Sequence, residues 1–144
     1  MRQFRRRREG TTDYRKRLAL LKSGQLRAVV RVTNRQVLVQ LTRFAKQGDE
    51  VVAAVSSQQL AGLLAARNAQ AAGESQAVLD IGRVTPTSGG RVFAALKGLV
   101  DGGLEVPHSE SLYPGEERIR GEHISKATAK QVEKVAAAIQ GGKA

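Results

Sequence analysis

The side chains most able to do chemistry in this chain are arginines at its start. Arg5, Arg6, Arg7 and Arg8 are consecutive, Arg2 precedes them, and Arg15, Lys16, Arg17 and Lys22 follow. A guanidinium stays charged, binds phosphate oxygens through a planar fork and stacks on bases. Four in a row cannot share one helix face, so they must spread around a curved anionic surface. Residues 1–35 hold twelve Lys or Arg against two acids, Glu9 and Asp13, and residues 36–144 hold twelve against eleven. Twelve against two places +10 of the total +11 in the first quarter of the chain. A folded core gains nothing from this crowding, and self-repulsion costs stability unless a polyanion cancels it. Basic N-terminal arms of this kind commonly bind nucleic acid.

Further cations recur along the chain. Arg27, Arg31 and Arg35 are spaced by four, which on strands puts them on one side, continuous with the basic helix. Such a side is either a solvated sheet face or one that docks RNA backbone. Ser88-Gly-Gly-Arg91 precedes a helix, where Gly89 and Gly90 would let backbone amides approach an anion, helped by Arg91 and Lys97. It lacks the Walker spacing. The other reading is a flexible strand–helix connection. Aromatics number five, Phe4, Tyr14, Phe44, Phe93 and Tyr113. A sheet that stacks single-stranded bases needs more exposed rings. The expected ligand is therefore folded RNA, read by backbone and shape.

Catalytic chemistry finds little support. Asp80 sits inside the apolar run Val78-Leu-Asp-Ile81. A nuclease would want further carboxylates to hold paired metal ions, and Asp49, Glu50, Glu74 and Asp101 fall at turns or helix ends. Asp80 reads better as a structural carboxylate bonded to a loop or an arginine. There is no cysteine, and His108 and His123 are too few for a zinc site. No nucleophile elbow appears. No catalytic residue, metal, cofactor or small-molecule substrate is expected. Apolar runs fall short of a spanning helix, and residues 1–17 offer only Phe4 and Tyr14 for a membrane surface. A protein without membrane association, in the cytoplasm, is the expectation.

The elements that must position these groups can be read in order. Residues 1–10 form a basic arm, irregular or disordered when free. Thr11 or Thr12 caps a helix with an apolar stripe of Tyr14, Leu18 and Leu21, ended by Gly24. Alternation predicts a strand over 26–32, a Thr33-Asn34 turn, a return strand from 37 to about 44, and a third strand over 50–55. Ser56 or Ser57 caps a helix over 57–72 with Leu60, Leu63, Leu64 and Arg67 on its period. The run 77–82 reads as a buried parallel strand. A helix from Arg91 to Gly102-Gly103, a short strand over 104–106, an irregular segment over 108–124 and a last helix over 125–140 complete the chain. This is an α/β domain (11–124) with a mixed β-sheet, an antiparallel meander and flanking helices, followed by a C-terminal helix and tail (125–144).

Several stretches in succession resemble the universal large-subunit ribosomal protein eighteen family, in its archaeal and eukaryotic branch. They are Arg5-Arg-Arg-Arg-Glu-Gly-Thr-Thr-Asp-Tyr-Arg-Lys-Arg17 through Gly24, Val30-Arg-Val-Thr-Asn-Arg-Gln36 with Gln40, Ala77-Val-Leu-Asp-Ile-Gly82, Gly90-Arg-Val-Phe-Ala94, Val106-Pro-His108 and Arg118-Ile-Arg-Gly-Glu-His-Ile124. The resemblance implies a ribonuclease-H-like topology used without catalysis. It implies a structural constituent of the large ribosomal subunit that binds 5S rRNA and anchors it to the large rRNA in the central protuberance, beside neighbouring ribosomal proteins. The arm with Tyr14, Arg15 and Arg17 would contact rRNA. Arg31, Asn34, Arg35 and Gln40 would face 5S rRNA, and Gly90 and Arg91 would touch RNA backbone. The rival readings are a general RNA-binding or RNA-chaperone protein and a ribonuclease-H-like metal nuclease.

Overall fold

The computed structural model describes residues 3–56 and 61–141. Alternation in the sequence decides the sheet. Strands β1 (Leu26–Val32), β2 (Val37–Arg43) and β3 (Glu50–Ser56) form the expected antiparallel meander. β4 (Ala77–Asp80) pairs with β1 in parallel, so the mixed sheet runs β3-β2-β1-β4. Val30 opposes Val39, and Ala28 opposes Leu41. Val39 in turn opposes Val55, and Leu41 opposes Ala53. All of these are buried.

Two helices cover that apolar face, α3 (Ala61–Ala71) and α4 (Arg91–Asp101). α4 contributes Val92, Phe93, Leu96 and Leu99, and Leu104 and Val106 complete the cluster. Burying each Val, Leu or Phe side chain stabilises by roughly 1.5–3 kcal/mol. The expected Leu63, Leu64 and Arg67 face of α3 is only half-buried. Its buried face is instead Ala61, Gly62, Ala65, Ala66 and Ala69. The reason is close helix approach: a Cβ on Gly62 would stand 2.3 Å from the Ala95 carbonyl and 2.9 Å from Gly98 Cα. Only small residues fit that crossing. Leu60 and the Ser57 cap lie outside the described residues, and Ser56 ends β3 instead of capping a helix.

The ends of the chain depart further from expectation. Arg5–Arg8 form one helical turn, α1, rather than an irregular arm. The Phe4 carbonyl accepts from the amides of Arg7 and Arg8, and Arg5 Nε reaches Glu9 Oε1 at 2.8 Å. Asp13, not a threonine, caps α2 (Tyr14–Lys22); its Oδ1 accepts from the amides of Arg15 and Lys16. The expected apolar stripe does not dock: Leu18 is 56% exposed and Tyr14 43%. Residues 104–106 make one parallel bridge, Gln76 to Glu105, and no strand. The segment read as irregular holds a 3-10 turn at Glu110–Leu112 and a short helix, α5 (Glu116–Arg120). α6 (Lys126–Gln140) forms as expected, with Ser125 Oγ accepting from the Thr128 amide, and buries Ile139.

Candidate nucleic-acid interface

The site lies on the sheet face turned away from α3 and α4. Because side chains alternate along a strand, Arg27, Val29 and Arg31 of β1 share this face with Gln40 and Asp80, both paired with Val29 across the strands. An alternating chain of charges ties these arginines together. Arg17 Nη2 meets Asp49 Oδ2 at 2.8 Å, and Arg27 Nη2 meets the same oxygen at 2.5 Å. Arg27 Nη1 then reaches Asp80 Oδ2 at 3.5 Å, and Arg31 Nη2 reaches Asp80 Oδ1 at 3.4 Å. Arg31 Nη1 also donates to the carbonyls of Asp80 and Val30, at 2.8 and 2.9 Å.

Burial decides which arginines remain available. The Arg27 side chain is 3% exposed, so it is not on an open RNA-facing surface as its spacing suggested. Its role here is internal, linking two carboxylates. The Arg31 side chain is 43% exposed and presents an edge to solvent. Arg17 is about one-third exposed. Burial alone would push the Asp49 carboxyl up, but the Arg27 hydrogen bond and the charges of Arg27 and Arg17 outweigh it and hold it below its ordinary value. Asp80 is the structural carboxylate the sequence suggested: its oxygens accept from Arg27, Arg31 and the Gly82 amide. A carboxylate so engaged is a poor metal ligand. Among the described residues no three His, Asp or Glu side chains gather as a metal ion would need.

Two contacts hold α2 on this side of the molecule, Arg17 to Asp49 and Lys16 Nζ to the Gly82 carbonyl at 3.3 Å. Every α2 residue keeps some exposure, and Tyr14, Arg15, Lys16 and Lys22 are open to solvent. Beyond β1, the turn displays Asn34 and Arg35, both exposed. Thr33 and Gln36 close it through mutual hydrogen bonds, and Arg91 Nη1 braces it by donating to the Thr33 carbonyl at 3.1 Å. Gln40 is exposed on the Arg31 face. α1 carries Arg5 to Arg8, all exposed; Arg2 lies outside the described residues.

Three sequence-derived contacts sit differently from expectation. The Gly89 amide donates to the Leu112 carbonyl and the Gly90 amide to the Thr87 carbonyl, so neither is free to cradle an anion. This fits the connecting-loop reading of that segment. Lys97 stands 3.6 Å from Glu116 and over the Tyr113 ring, engaged with the segment around α5. Conversely, reading the sequence missed Arg83 and Asp49. Arg83 is exposed and follows Gly82, just past the carboxyl end of β4, the edge where parallel strands commonly meet ligands. Asp49 looked like a turn residue; its partners, Arg27 of β1 and Arg17 of α2, lie 22 and 32 residues away, so no local pattern marked it.

The fold and this face define a multi-arginine surface suited to a phosphate-bearing polymer. No described helix is long and apolar enough to cross a membrane. The family model for ribosomal large subunit proteins 60S L5 and 50S L18 matches residues 1–72 and 63–109. The large ribosomal subunit protein uL18 of Korarchaeum cryptofilum is 51% identical over 139 residues, covering 85% of this chain and 71% of that protein. The uL18 of Methanoregula boonei is 45% identical over 160 residues, covering 95% and 92%. That of Methanoculleus marisnigri is 48% identical, covering 85% and 80%. The chain belongs to this ribosomal protein family, in its archaeal-type form.

Proposed function

We propose that the chain is a structural, non-enzymatic constituent of the large ribosomal subunit in the cytoplasm, where it binds folded 5S rRNA. In this reading it helps anchor 5S rRNA to the large rRNA in the central protuberance, beside other large-subunit proteins. The observation that carries it is the charged sheet face, where Arg31 and cations of α1 and α2 stand around a fixed Arg–Asp network, with the exposed Asn34 and Arg35 of the turn beyond β1. The proposed contacts are Arg5 to Arg8, Tyr14, Arg15, Lys16, Arg17, Lys22, Arg31, Asn34, Arg35, Gln40 and Arg91, with Arg2 as part of the same arm. Arg27 positions its neighbours from inside. Strand order β3-β2-β1-β4 supports the ribonuclease-H-like topology. The division into an arm (1–10), a binding domain (11–124) and a C-terminal helix and tail (125–144) follows the charge and the cap at Ser125. The arginine engagement of Asp80 weighs against the nuclease reading.

The test is the salt dependence of 5S rRNA binding for the full chain and for a chain lacking residues 1–10. Each phosphate released from contact should flatten the slope of log K against log salt by roughly 0.7–0.9. Removing Arg2 and Arg5 to Arg8 should weaken binding and flatten the slope by several such steps. An unchanged slope contradicts the arm as an RNA contact.

A further inference from the structure

A groove of about 160 Å³ opens where α1, α2 and the ends of the parallel strands β1 and β4 meet. Five cations line it, Arg6, Lys16, Arg17, Arg31 and Arg83, with Thr11, Thr12 and the acids Asp13 and Asp80. Both acids already accept hydrogen bonds. Asp13 Oδ1 caps α2, and Asp80 accepts from two arginines and the Gly82 amide. Four of the cations or polar groups also have partners. Lys16 bonds the Gly82 carbonyl, Arg17 pairs with Asp49, Arg31 is held by Asp80, and Thr11 Oγ1 donates to the Arg6 carbonyl.

The guanidiniums of Arg6 and Arg83 and the Thr12 hydroxyl, by contrast, make no hydrogen bond or ion pair among the described residues. Five cations against two carboxylates leave the groove with an excess of positive charge, which raises the energy of the empty site, and an anion would relieve that. Gly10 fits the same arrangement. It has φ +62, and a Cβ there would stand 2.9 Å from Arg83 Nη1. The missing side chain lets the turn after α1 close on Arg83, bringing Arg6 and Arg83 to one groove. At ~30 Å³ per water the volume holds about five water-sized atoms, the size of a tetrahedral oxyanion.

We propose that this groove seats a single RNA backbone phosphate, shared by Arg6 and Arg83, with the Thr12 hydroxyl and Lys16 as further donors. The proposal rests on the RNA-binding reading above and assigns one phosphate to one place. The shared seat also latches α1 onto the body of the protein when RNA is bound. Arg31, held by Asp80, lines the groove wall.

The test is a double-mutant cycle read in salt slopes. Full-length protein, Arg6→Gln, Arg83→Gln and the double variant would be titrated with 5S rRNA, and separately with transfer RNA, over a series of salt concentrations. Lys130→Gln, on exposed α6, serves as the control, and thermal unfolding checks that each variant folds. One shared phosphate predicts that each single change lowers affinity about tenfold, the scale of a charge-assisted hydrogen bond. It also predicts that the double variant flattens the slope by one step of roughly 0.7–0.9, not two. Arg83→Lys should keep the slope while losing part of the affinity, because a point charge replaces the fork. Two full steps in the double variant would mean two separate phosphates and would overturn the proposal, as would slopes equal to the control. If the one-step result holds equally on transfer RNA, and 5S rRNA is not preferred, the groove stands and the 5S assignment fails. If 5S rRNA is preferred but the slopes do not move, the assignment stands and the groove fails.

Discussion

Replacing Asp49 with alanine removes the acceptor shared by Arg17 and Arg27 at 2.8 and 2.5 Å. Breaking a buried ion pair from one side costs ~3–5 kcal/mol, because the remaining charge is left without a partner in a poor solvent. Two features temper that figure. The Asp49 side chain is 24% exposed, and Arg27 retains Asp80 at 3.5 Å. The Arg17 half resembles a surface pair, at ~0.2–1 kcal/mol. The expected loss is therefore about 2–4 kcal/mol, or roughly 4–16 °C in Tm at about 2–4 °C per kcal/mol. The pH dependence supplies a second readout. The folded carboxyl sits below its ordinary value of 3.8, so its stabilisation is fully present above that pH and is lost as pH falls through the lower folded value. The gap between wild type and variant in urea unfolding should be flat from about pH 5 to about pH 8 and close in stronger acid. A loss within about 0.5 kcal/mol, typical of an inert surface site, would refute the network as a support for the face. So would a gap that does not change with acid.

Two more changes probe the scaffold. Gly62→Ala drives a methyl into the Ala95 carbonyl and Gly98 Cα, and should cost about 1–3 kcal/mol or more in denaturant unfolding; a neutral outcome would mean that α3 and α4 can part freely. The Tyr113 hydroxyl is buried without a partner among the described residues, and burial followed by the charges of Asp101 and Glu110 pushes its pKa up. Tyr113→Phe should leave Tm unchanged or raise it, since about 1–3 kcal/mol of desolvation penalty is removed with the hydroxyl; a clear loss would show a missed partner.

The strands were legible because alternation is a local signal, and β1, β2 and β3 lie within a residue or so of where it put them. β4 was legible as a short apolar run, and α4 and α6 from their glycine ends and caps. The alternation also showed that Arg27 and Arg31 share a face. It could not show which part of that face is covered. Arg27 is buried by carboxylates that lie 22 and 53 residues away, Asp49 and Asp80. Their meeting depends on the sheet, not on the local pattern. The same limit hid the α3 face. Leucines on a helical period outrank alanines by hydrophobicity, but Gly62 and Gly98 allow a backbone approach that only small side chains fit. Short elements such as α1 and α5 were lost to their length, since one or two turns show no period. The charge gradient itself needed no structure, because it is a count. What structure added is the order within it, separating Arg27 inside from Arg31 at the edge and bringing Arg83 to Arg6.

If this face selects folded 5S rRNA over other RNA, competition binding will read the selection. The purified full-length chain would be offered labelled 5S rRNA at near-physiological salt, with transfer RNA as the competitor. Transfer RNA should displace 5S rRNA only at concentrations orders of magnitude higher. Equal competition would contradict it, leaving a surface that binds RNA by charge alone.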